Sequence, residues 1–376
     1  MMRPRRLVGL WLCVVVLGGA VGPGAAGPGA AAPAGAARGV TAAVGGPRPE
    51  VHAAAAVLMD VRTGQLLYAI DPHRPLPPAS TTKILTAVLV LERLPVSATV
   101  TIGARAAAQR DGATVGLHPG EQWTVDDLLH AMLLRSANDA AVALAEAAAG
   151  SVEQFVALMN ARAHHLGARR SRFATPHGLD APDHYSTAYD LALIARYALH
   201  HPVFASLVRT RAWVLRRPGR EPQELVTTNR FLARYEGADG VKTGWTARSG
   251  PCLVASATRD GWQLLAVVLN SPDVVSAVER LLDYGFSRFE PVRVAERGQR
   301  LATVAVGRRG LRVEAVLAAD LYAVVPRGTP VAPRVVLHEP LEAPVPAGAV
   351  VGQVEVVAGG TVVARAPLVA ARGIPR

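Results

Sequence analysis

The stretch PASTTKILTAVLVLERL, residues 78–94, decides the fold because its helical pattern has almost no polar face. Apolar residues run nearly all round a helix drawn from Ser80 to about Leu94, so the spacing predicts a helix that is buried rather than half exposed. Ser80 stands where a capping residue begins a helix, and Lys83 follows on the same face of the first turn. We therefore expect this helix in the core, with both side chains at its N-terminal end.

Patterns on either side of this stretch predict a sheet covered by helices. Two short strands around a turn at residues 60–64 open the folded part of the chain. Later strands are predicted at 240–245, 251–257 and 262–269, and helices at 125–134, 139–149, 151–166, 187–199 and 274–286. Strands at both ends with helices between them indicate an α+β domain, over residues 51–290, built on a mixed sheet.

Residues 291–376 have a different pattern, with short valine-rich segments between Gly or Pro turns. The segments 354–357 and 361–364 flank Gly359 and Gly360, which is typical of a hairpin with a Gly-Gly turn. The sequence therefore predicts a second domain that is small, all-β and sandwich-like.

The N-terminus has the organisation of an export signal. Three arginines within the first six residues precede an apolar stretch at 7–19, and small-residue cleavage sites follow. We expect a signal peptide over residues 1–26, with an uncleaved membrane anchor as the alternative. Residues 27–50 are mostly Gly, Pro and Ala, which is typical of a tether that cannot bury enough apolar area to order itself.

Composition and charge exclude several classes of protein. The chain has 376 residues, 50% hydrophobic and 18% charged, so it is not a disordered polyelectrolyte. No uncharged apolar run of about 18 residues lies beyond the N-terminus, which excludes a polytopic membrane protein. The net charge is +11, but the basic residues are spread along the chain, so no nucleic-acid partner is expected. Cys252 alone remains after signal removal, and no His-Glu-x-x-His motif or Cys pair is present, so we expect no disulfide, metal or cofactor.

Ser80 and Lys83 carry the first chemical signal. A serine hydroxyl is a poor nucleophile until a neighbour takes its proton, and a lysine can do so only if its pKa falls well below about 10.4. Burial, a second cation nearby and the positive end of a helix all lower that pKa. The pattern S-x-x-K is weak alone, and a structural capping serine is the alternative interpretation.

Two further short motifs follow along the chain. Ser136-Ala137-Asn138 lies where one predicted helix ends and the next begins. Lys242-Thr243-Gly244 lies on a predicted strand, whose alternation places Lys242 and Gly244 on one face and Thr243 on the other unless a bulge intervenes. Each motif alone is explained by a helix cap or a strand lysine, but the three in this order indicate one site.

In this order the motifs resemble those of the serine D-alanyl-D-alanine carboxypeptidases, which belong to the low-molecular-mass penicillin-binding proteins. Longer stretches at 78–86, 176–190 and 239–246 look like signatures of the same family, and the resemblance continues into the small β domain. It implies a β-lactamase/DD-peptidase-like fold, with an antiparallel sheet flanked by helices and an all-helical region. It also implies an enzyme that removes the terminal D-Ala from peptidoglycan stem peptides and is inhibited covalently by β-lactam antibiotics.

The resemblance implies catalytic roles for three residues. Ser80 would be the acylated nucleophile, Lys83 its general base, and Ser136 a relay that carries a proton to the leaving amine. The backbone N–H groups of Ser80 and Trp245 would form the oxyanion hole.

Substrate binding is implied for a second set of residues, namely Asn138, Lys242, Thr243, Gly244, Trp245 and His177. Asn138 would hold the substrate amide, and Lys242 with Thr243 would bind the terminal carboxylate. For His177 a purely structural hydrogen-bonding role is equally open. Asn229 resembles a family position near the floor of the active site, and an ordinary loop asparagine is an equal alternative.

Two other functions are weighed against this one. A serine β-lactamase of class A would position its water with a glutamate, but no Glu-x-x-x-Asn pattern follows the second motif. A non-catalytic wall-binding protein on the same fold would not require a nucleophile and a base together.

The C-terminus departs from the pattern of many family members. Gly373 and Pro375 lie among the few residues after Val369, so no C-terminal amphipathic membrane helix is expected. We therefore expect an exported, extracytoplasmic protein of the cell wall or periplasm, attached to the membrane, if at all, through its N-terminus.

Overall fold

The computed structural model of the protein describes residues 13–18, 47–216, 221–307 and 310–375, with the backbone alone at 13–18 and 339. Its contacts divide the chain into two compact units, one from Gly45 to Ser287 and the other comprising Arg288–Arg376 and Met1–Val44. Most of the predicted signal peptide and tether lies outside the described residues. The division predicted between residues 290 and 291 falls inside a strand, and the domain boundaries remain a prediction.

The first unit contains both helices and strands, and the regular elements described wholly within the second unit are strands. The strands are β1 (Cys13–Gly18), β2 (Ala55–Asp60), β3 (Leu66–Ile70), β4 (Thr99–Thr101), β5 (Gln122–Thr124), β6 (Ala212–Leu215), β7 (Gln223–Val226), β8 (Ala238–Thr246), β9 (Gly250–Arg259), β10 (Trp262–Leu269), β11 (Phe289–Ala295), β12 (Arg300–Val306), β13 (Leu311–Leu317), β14 (Leu321–Pro326), β15 (Val331–Glu339), β16 (Val350–Ala358) and β17 (Thr361–Ala370). The helices are α1 (Lys83–Leu91), α2 (Ala104–Ala108), α3 (Val125–Leu134), α4 (Asn138–Ala149), α5 (Val152–His165), α6 (Ala188–Leu199), α7 (Pro202–Arg209), α8 (Phe231–Arg234) and α9 (Val274–Arg288). A 3-10 turn, Ala79–Thr82, leads into α1.

The main sheet of the first unit has five strands in the order β3-β2-β10-β9-β8. Every neighbouring pair is antiparallel, so the mixed sheet expected from the strand order is wrong, and the antiparallel sheet implied by the resemblance is confirmed. Short turns join β2 to β3, β8 to β9 and β9 to β10, and strands joined by short turns pair antiparallel, while β2 and β10 meet as antiparallel neighbours from distant parts of the chain. The long helical segment between β3 and β8 leaves these two strands at opposite edges.

Helix α1 is buried, as its sequence predicts. Residues 84–90 are at most 3% exposed, and full burial of a Leu or Ile side chain contributes about 1.5–3 kcal/mol to stability. The helix ends at Leu91 rather than Leu94. The alternative interpretation of Ser80 as a helix cap is wrong, because Ser80 lies within the 3-10 turn and makes no capping hydrogen bond at either the turn or the helix.

The all-helical region has the predicted helices, with ends within one or two residues of those expected. Three of them begin at a hydroxyl residue that accepts a hydrogen bond from the N–H three residues later. These capping residues are Thr124 before α3, Ser151 before α5 and Thr187 before α6. Such caps typically stabilise a helix by about 1 kcal/mol and fix where it starts. None of the helices in the described residues is on its own both long and apolar enough to span a bilayer.

The second unit is all-β, as predicted. A six-stranded sheet in the order β1-β15-β16-β17-β13-β12 and the two-stranded sheet β11-β14 enclose one apolar core. Strand β1, from within the predicted signal peptide, pairs in parallel with β15. The predicted hairpin joins β16 and β17, and Gly359 and Gly360 both have positive φ, which a tight hairpin turn of this kind requires.

Candidate active site

Ser80 lies where two glycines let other segments approach the 3-10 turn. A Cβ atom on Gly244 of β8 would lie 3.1 Å from the Ser80 nitrogen, and one on Gly178 would lie 1.9 Å from the Ala79 oxygen. Ala79 has φ +48°, a conformation uncommon for a residue with a side chain. Because β8 is the edge strand of its sheet, its end reaches this turn without another strand in between. Ser80 itself remains half-buried at this junction.

Lys83 is fully buried next to Ser80, and its amine is held by three oxygen atoms. Lys83 Nζ donates to Ser80 Oγ at 3.0 Å, to Asn138 Oδ1 at 2.7 Å and to the His177 carbonyl oxygen at 2.6 Å. Burial, together with the nearby Lys242 cation, holds the pKa of Lys83 well below its usual value, while Asp139 opposes the change. In its neutral form this amine has two N–H groups for Asn138 Oδ1 and the His177 carbonyl, and a lone pair that can accept from the Ser80 hydroxyl.

Asn138 and Ser136 lie at the junction of α3 and α4, as the sequence predicts. Asn138 bonds to Lys83 through Oδ1, while its Nδ2 donates to the Asp111 carbonyl at 2.8 Å and its backbone N–H to the Ala113 carbonyl at 2.7 Å. Ser136 has φ +61° and a half-buried side chain. Within the described part of the chain, no group forms a hydrogen bond with its hydroxyl, which leaves that hydroxyl available to a ligand.

Strand β8 presents the third motif with the predicted alternation. Lys242 is 1% exposed and lies opposite Val254 on the core face, and Gly244 lies on the same face. Thr243 is half-buried and Trp245 is 67% exposed, so these two side chains share the other face. Burial lowers the pKa of Lys242 to about 7, and its Nζ donates to the Thr243 carbonyl at 3.0 Å. A buried cation therefore lies one residue from an accessible hydroxyl.

His177 contacts the site through its backbone. Its carbonyl accepts from Lys83, and its ring Nδ1 accepts from the Leu179 N–H at 3.2 Å. Burial, with the nearby Lys83 amine, lowers the pKa of His177 to about 3, so the ring is neutral at neutral pH. These bonds are structural, and a substrate-binding role for the His177 side chain stays a prediction.

The loop that carries His177 is tied to the start of α1. The Ala174 N–H donates to Nδ1 of His184, so the proton of this ring lies on Nε2, 3.0 Å from Thr82 Oγ1. Thr86 Oγ1 donates to the Pro176 carbonyl at 2.6 Å. These bonds hold the His177 carbonyl against the Lys83 amine.

Two residues outside the motifs were weighed from the sequence. Cys252 is buried, as predicted, and burial raises the pKa of its thiol, which is the setting of an inert cysteine. Asn229 is 5% exposed, and its side-chain amide has no hydrogen-bond partner among the described residues. Neither residue contacts Ser80 or Lys83 by a hydrogen bond.

Sequence reasoning missed the backbone groups that hold the site. The carbonyls of Asp111, Ala113 and His177 bind Asn138 and Lys83, but a backbone carbonyl leaves no signature in a sequence. The buried Asp139 was not singled out either, although it directly follows Asn138; an acidic residue beside a motif was the signal available in the sequence.

The chemistry of Ser80, Lys83 and Lys242 indicates the class of protein. A buried lysine bonded to a serine hydroxyl can take its proton as the oxygen attacks a carbonyl, which is how serine enzymes form an acyl intermediate. A second buried lysine on the adjoining edge strand offers a cation to a free carboxylate. Fold and site together define a serine-type peptidase.

Comparison with known proteins gives the family. Residues 41–273 match the family model described as D-alanyl-D-alanine carboxypeptidase, and residues 289–376 match the one described as the C-terminal domain of penicillin-binding protein 5. The chain belongs to the D-alanyl-D-alanine carboxypeptidase family.

Individual relatives agree with this assignment. The D-alanyl-D-alanine carboxypeptidase DacF of Bacillus subtilis is 34% identical over 330 residues, which is 85% of each chain. The crystal structure of penicillin-binding protein 5 from Haemophilus influenzae is 30% identical, with a TM-score of 0.80 over 88% of this chain and 100% of that one. The Streptomyces K15 DD-transpeptidase is 32% identical, with a TM-score of 0.61 over 64% of this chain and 99% of that one.

These findings confirm the predicted family, the α+β fold with a C-terminal all-β domain, and the carboxypeptidase activity. The family acts on peptidoglycan peptides and binds β-lactams. Neither alternative function, serine β-lactamase or non-catalytic wall-binding protein, is favoured.

Proposed function

We propose that Ser80 of this carboxypeptidase is acylated by the penultimate D-Ala of a peptidoglycan stem peptide. The observation that carries the proposal is the 3.0 Å hydrogen bond between Lys83 Nζ and Ser80 Oγ, since it joins the hydroxyl to a buried amine of lowered pKa. Lys83 takes the hydroxyl proton as Oγ bonds to the carbonyl carbon. The peptide C–N bond then breaks, and the amine of the terminal D-Ala leaves with a proton relayed by Ser136. Water hydrolyses the ester and restores Ser80.

Recognition of the substrate is assigned to groups around this centre. Thr243 and Lys242 bind the terminal carboxylate, because a buried cation and a hydroxyl form charge-assisted hydrogen bonds with it. Asn138 holds the substrate amide, and the backbone N–H groups of Ser80 and Trp245 stabilise the oxyanion. Gly244 has a separate role, since any side chain there would crowd Ser80.

The same step accounts for covalent inhibition by β-lactams. Attack by Ser80 opens the ring amide, and the leaving nitrogen stays attached to the acyl group, so nothing diffuses away. We also propose that the protein is exported by its N-terminal signal and works outside the cytoplasm, where peptidoglycan peptides are found. An N-terminal segment that is not cleaved would hold it at the membrane.

The proposed pocket for the terminal carboxylate, formed by Lys242 and Thr243, leads to a prediction about substrates. The protein should release D-Ala from an acylated L-Lys-D-Ala-D-Ala peptide with a free carboxyl end, and much more slowly from the same peptide ending in an amide. A charge-assisted hydrogen bond contributes about 1.5–3 kcal/mol, so the ratio of kcat/KM should be roughly 10- to 150-fold. The measurement is released D-Ala against substrate concentration.

The matched variant for this prediction is Thr243→Val, which keeps the shape and removes the hydroxyl. It should lower kcat/KM for the acid and leave the amide nearly unchanged, so the ratio shrinks. Equal kcat/KM values for acid and amide in the native protein would refute the pocket.

The proposed boundary of the catalytic domain leads to a second prediction, about a truncated chain. A truncated chain of residues 49–291 should be acylated by benzylpenicillin at a rate close to that of the full protein, because all three motifs lie within the first unit. The measurement is the rate of drug attachment by intact mass. A truncated chain that melts cooperatively but is not acylated would show that the β domain is needed to shape the site.

A further inference from the structure

The carboxylate of Asp139 takes no part in the acylation and hydrolysis described above. Asp139 nevertheless directly follows Asn138, which contacts Lys83. Asp139 is fully buried in the first turn of α4. It accepts hydrogen bonds from the backbone N–H groups of Val115 (3.1 and 3.2 Å), Gly116 (2.9 Å), Leu117 (3.1 Å) and Ala140 (2.9 Å). An ionised carboxylate only accepts hydrogen bonds, and these partners only donate them.

Three of these four donors belong to one loop, which we call the 111–117 loop. The other end of the loop contacts Asn138 through the carbonyls of Asp111 and Ala113. Between these carbonyls, Gly112 has φ +72°, and a Cβ atom there would lie 2.8 Å from Asn138 Nδ2. The loop therefore lies against Asn138 at one end and is bonded to Asp139 at the other.

The contacts continue from Asn138 to the reacting groups. Asn138 Oδ1 accepts from Lys83 Nζ at 2.7 Å, and Lys83 Nζ lies 3.0 Å from Ser80 Oγ. Hydrogen bonds therefore join the Asp139 carboxylate to one end of the loop and Asn138 to the other, the loop backbone connects these two ends, and Asn138 and Lys83 continue the series to the serine. The negative charge of Asp139 also acts on Lys83 directly, since it opposes the lowering of the Lys83 pKa.

We propose that Asp139 is a positioning residue for acylation: its buried carboxylate holds the 111–117 loop against Asn138 and thereby fixes the Lys83 amine beside Ser80. The proposal rests on the proposed roles of Ser80 and Lys83. A helix-capping role alone does not account for the contacts, because an acid in a first turn needs only the N–H groups of its own helix. Three of the four N–H donors to Asp139 come from the loop instead.

The test is Asp139→Asn in the full chain. An amide has one oxygen and presents N–H groups at its other end, so it cannot accept from all four N–H donors. The loop should loosen, and the rate constant for acylation by benzylpenicillin should fall on the order of tenfold or more, since small displacements of catalytic groups have effects of this size. The matched control is Glu153→Gln, which removes a first-turn acid from α5, where the side chain is 69% exposed. The control should acylate at the native rate.

The pH profile separates a local effect on the Lys83 amine from a general loss of structure. Among the described residues, the groups that face the Lys83 amine are Ser80, Asn138, the His177 carbonyl, the neutral rings of His177 and His184, the Lys242 cation and the Asp139 carboxylate. Removing the only negative charge among them favours the neutral amine and lowers the pKa of Lys83. In a plot of the acylation rate constant against pH, the rising limb should therefore move to lower pH in Asp139→Asn and stay in place in Glu153→Gln.

Gly112→Ala keeps the proposal testable if Asp139→Asn does not fold. Its methyl group should push the loop away from Asn138 while leaving the Asp139 bonds in place, so acylation should slow with a cooperative melt retained. The proposal would be overturned if Gly112→Ala were acylated at the native rate. It would also be overturned if Asp139→Asn folded and kept either the native rate or the native position of the rising limb. If the roles of Ser80 and Lys83 were wrong instead, the native protein itself would not be labelled, which is a different outcome.

Discussion

Replacement of Ser80 by alanine is expected to abolish covalent labelling by benzylpenicillin. The native protein should gain one drug mass per chain, because Lys83 Nζ lies 3.0 Å from Ser80 Oγ and no leaving group departs when the β-lactam ring opens. Without the hydroxyl oxygen no ester can form, so the expected loss is complete rather than partial. Intact-mass measurement before and after incubation with the drug gives the result directly.

The matched control for this loss is Ser206→Ala, on the exposed side of α7 in the same unit. It should be labelled like the native protein, and both variants should keep the native melting temperature within a few degrees. An unlabelled native protein, or a drug adduct that persists in Ser80→Ala, would remove Ser80 from the mechanism.

The sequence predicted the parts of the molecule that depend on local periodicity. An all-round apolar pattern predicted the buried helix α1, and alternation on β8 predicted which side of the strand Lys242 and Thr243 occupy. The spacing of apolar residues predicted α3, α5 and α6 to within one residue at each end. Each of these features is determined within about one turn of helix or one strand, so the residues that carry the information are adjacent in the sequence.

Features that depend on distant contacts were not predictable in the same way. The His177 carbonyl and Asn138 Oδ1 reach Lys83 across 94 and 55 residues of chain, and the carbonyl would bind equally well from another residue type. The mixed sheet expected from the strand order was wrong for a related reason. Periodicity shows that a segment is a strand, but the direction of its neighbours depends on how the whole chain returns to the sheet.

Replacement of Lys83 by alanine should keep the fold and slow acylation by on the order of 100-fold or more, the usual scale for the loss of a general base. In the native protein the rate should rise with pH as Lys83 loses its proton, at a pH well below that of an ordinary lysine because burial and Lys242 lower its pKa. It should fall again as pH passes about 7 in the free enzyme, where Lys242 loses the charge that binds the drug carboxylate.

Lys83→Arg distinguishes a base from a mere cation, because a guanidinium keeps its charge and does not give up a proton at any working pH. If Lys83 takes the Ser80 proton, the arginine variant should be as slow as Lys83→Ala, and neither should show the rising limb. Stopped-flow acylation from about pH 5 to 9 measures both limbs. Near-native rates in Lys83→Arg would mean that the amine serves only as a positive charge, and the proton of Ser80 would then have to go elsewhere. The falling limb belongs to Lys242, so it should survive in both variants, which makes it an internal check that the carboxylate pocket is intact.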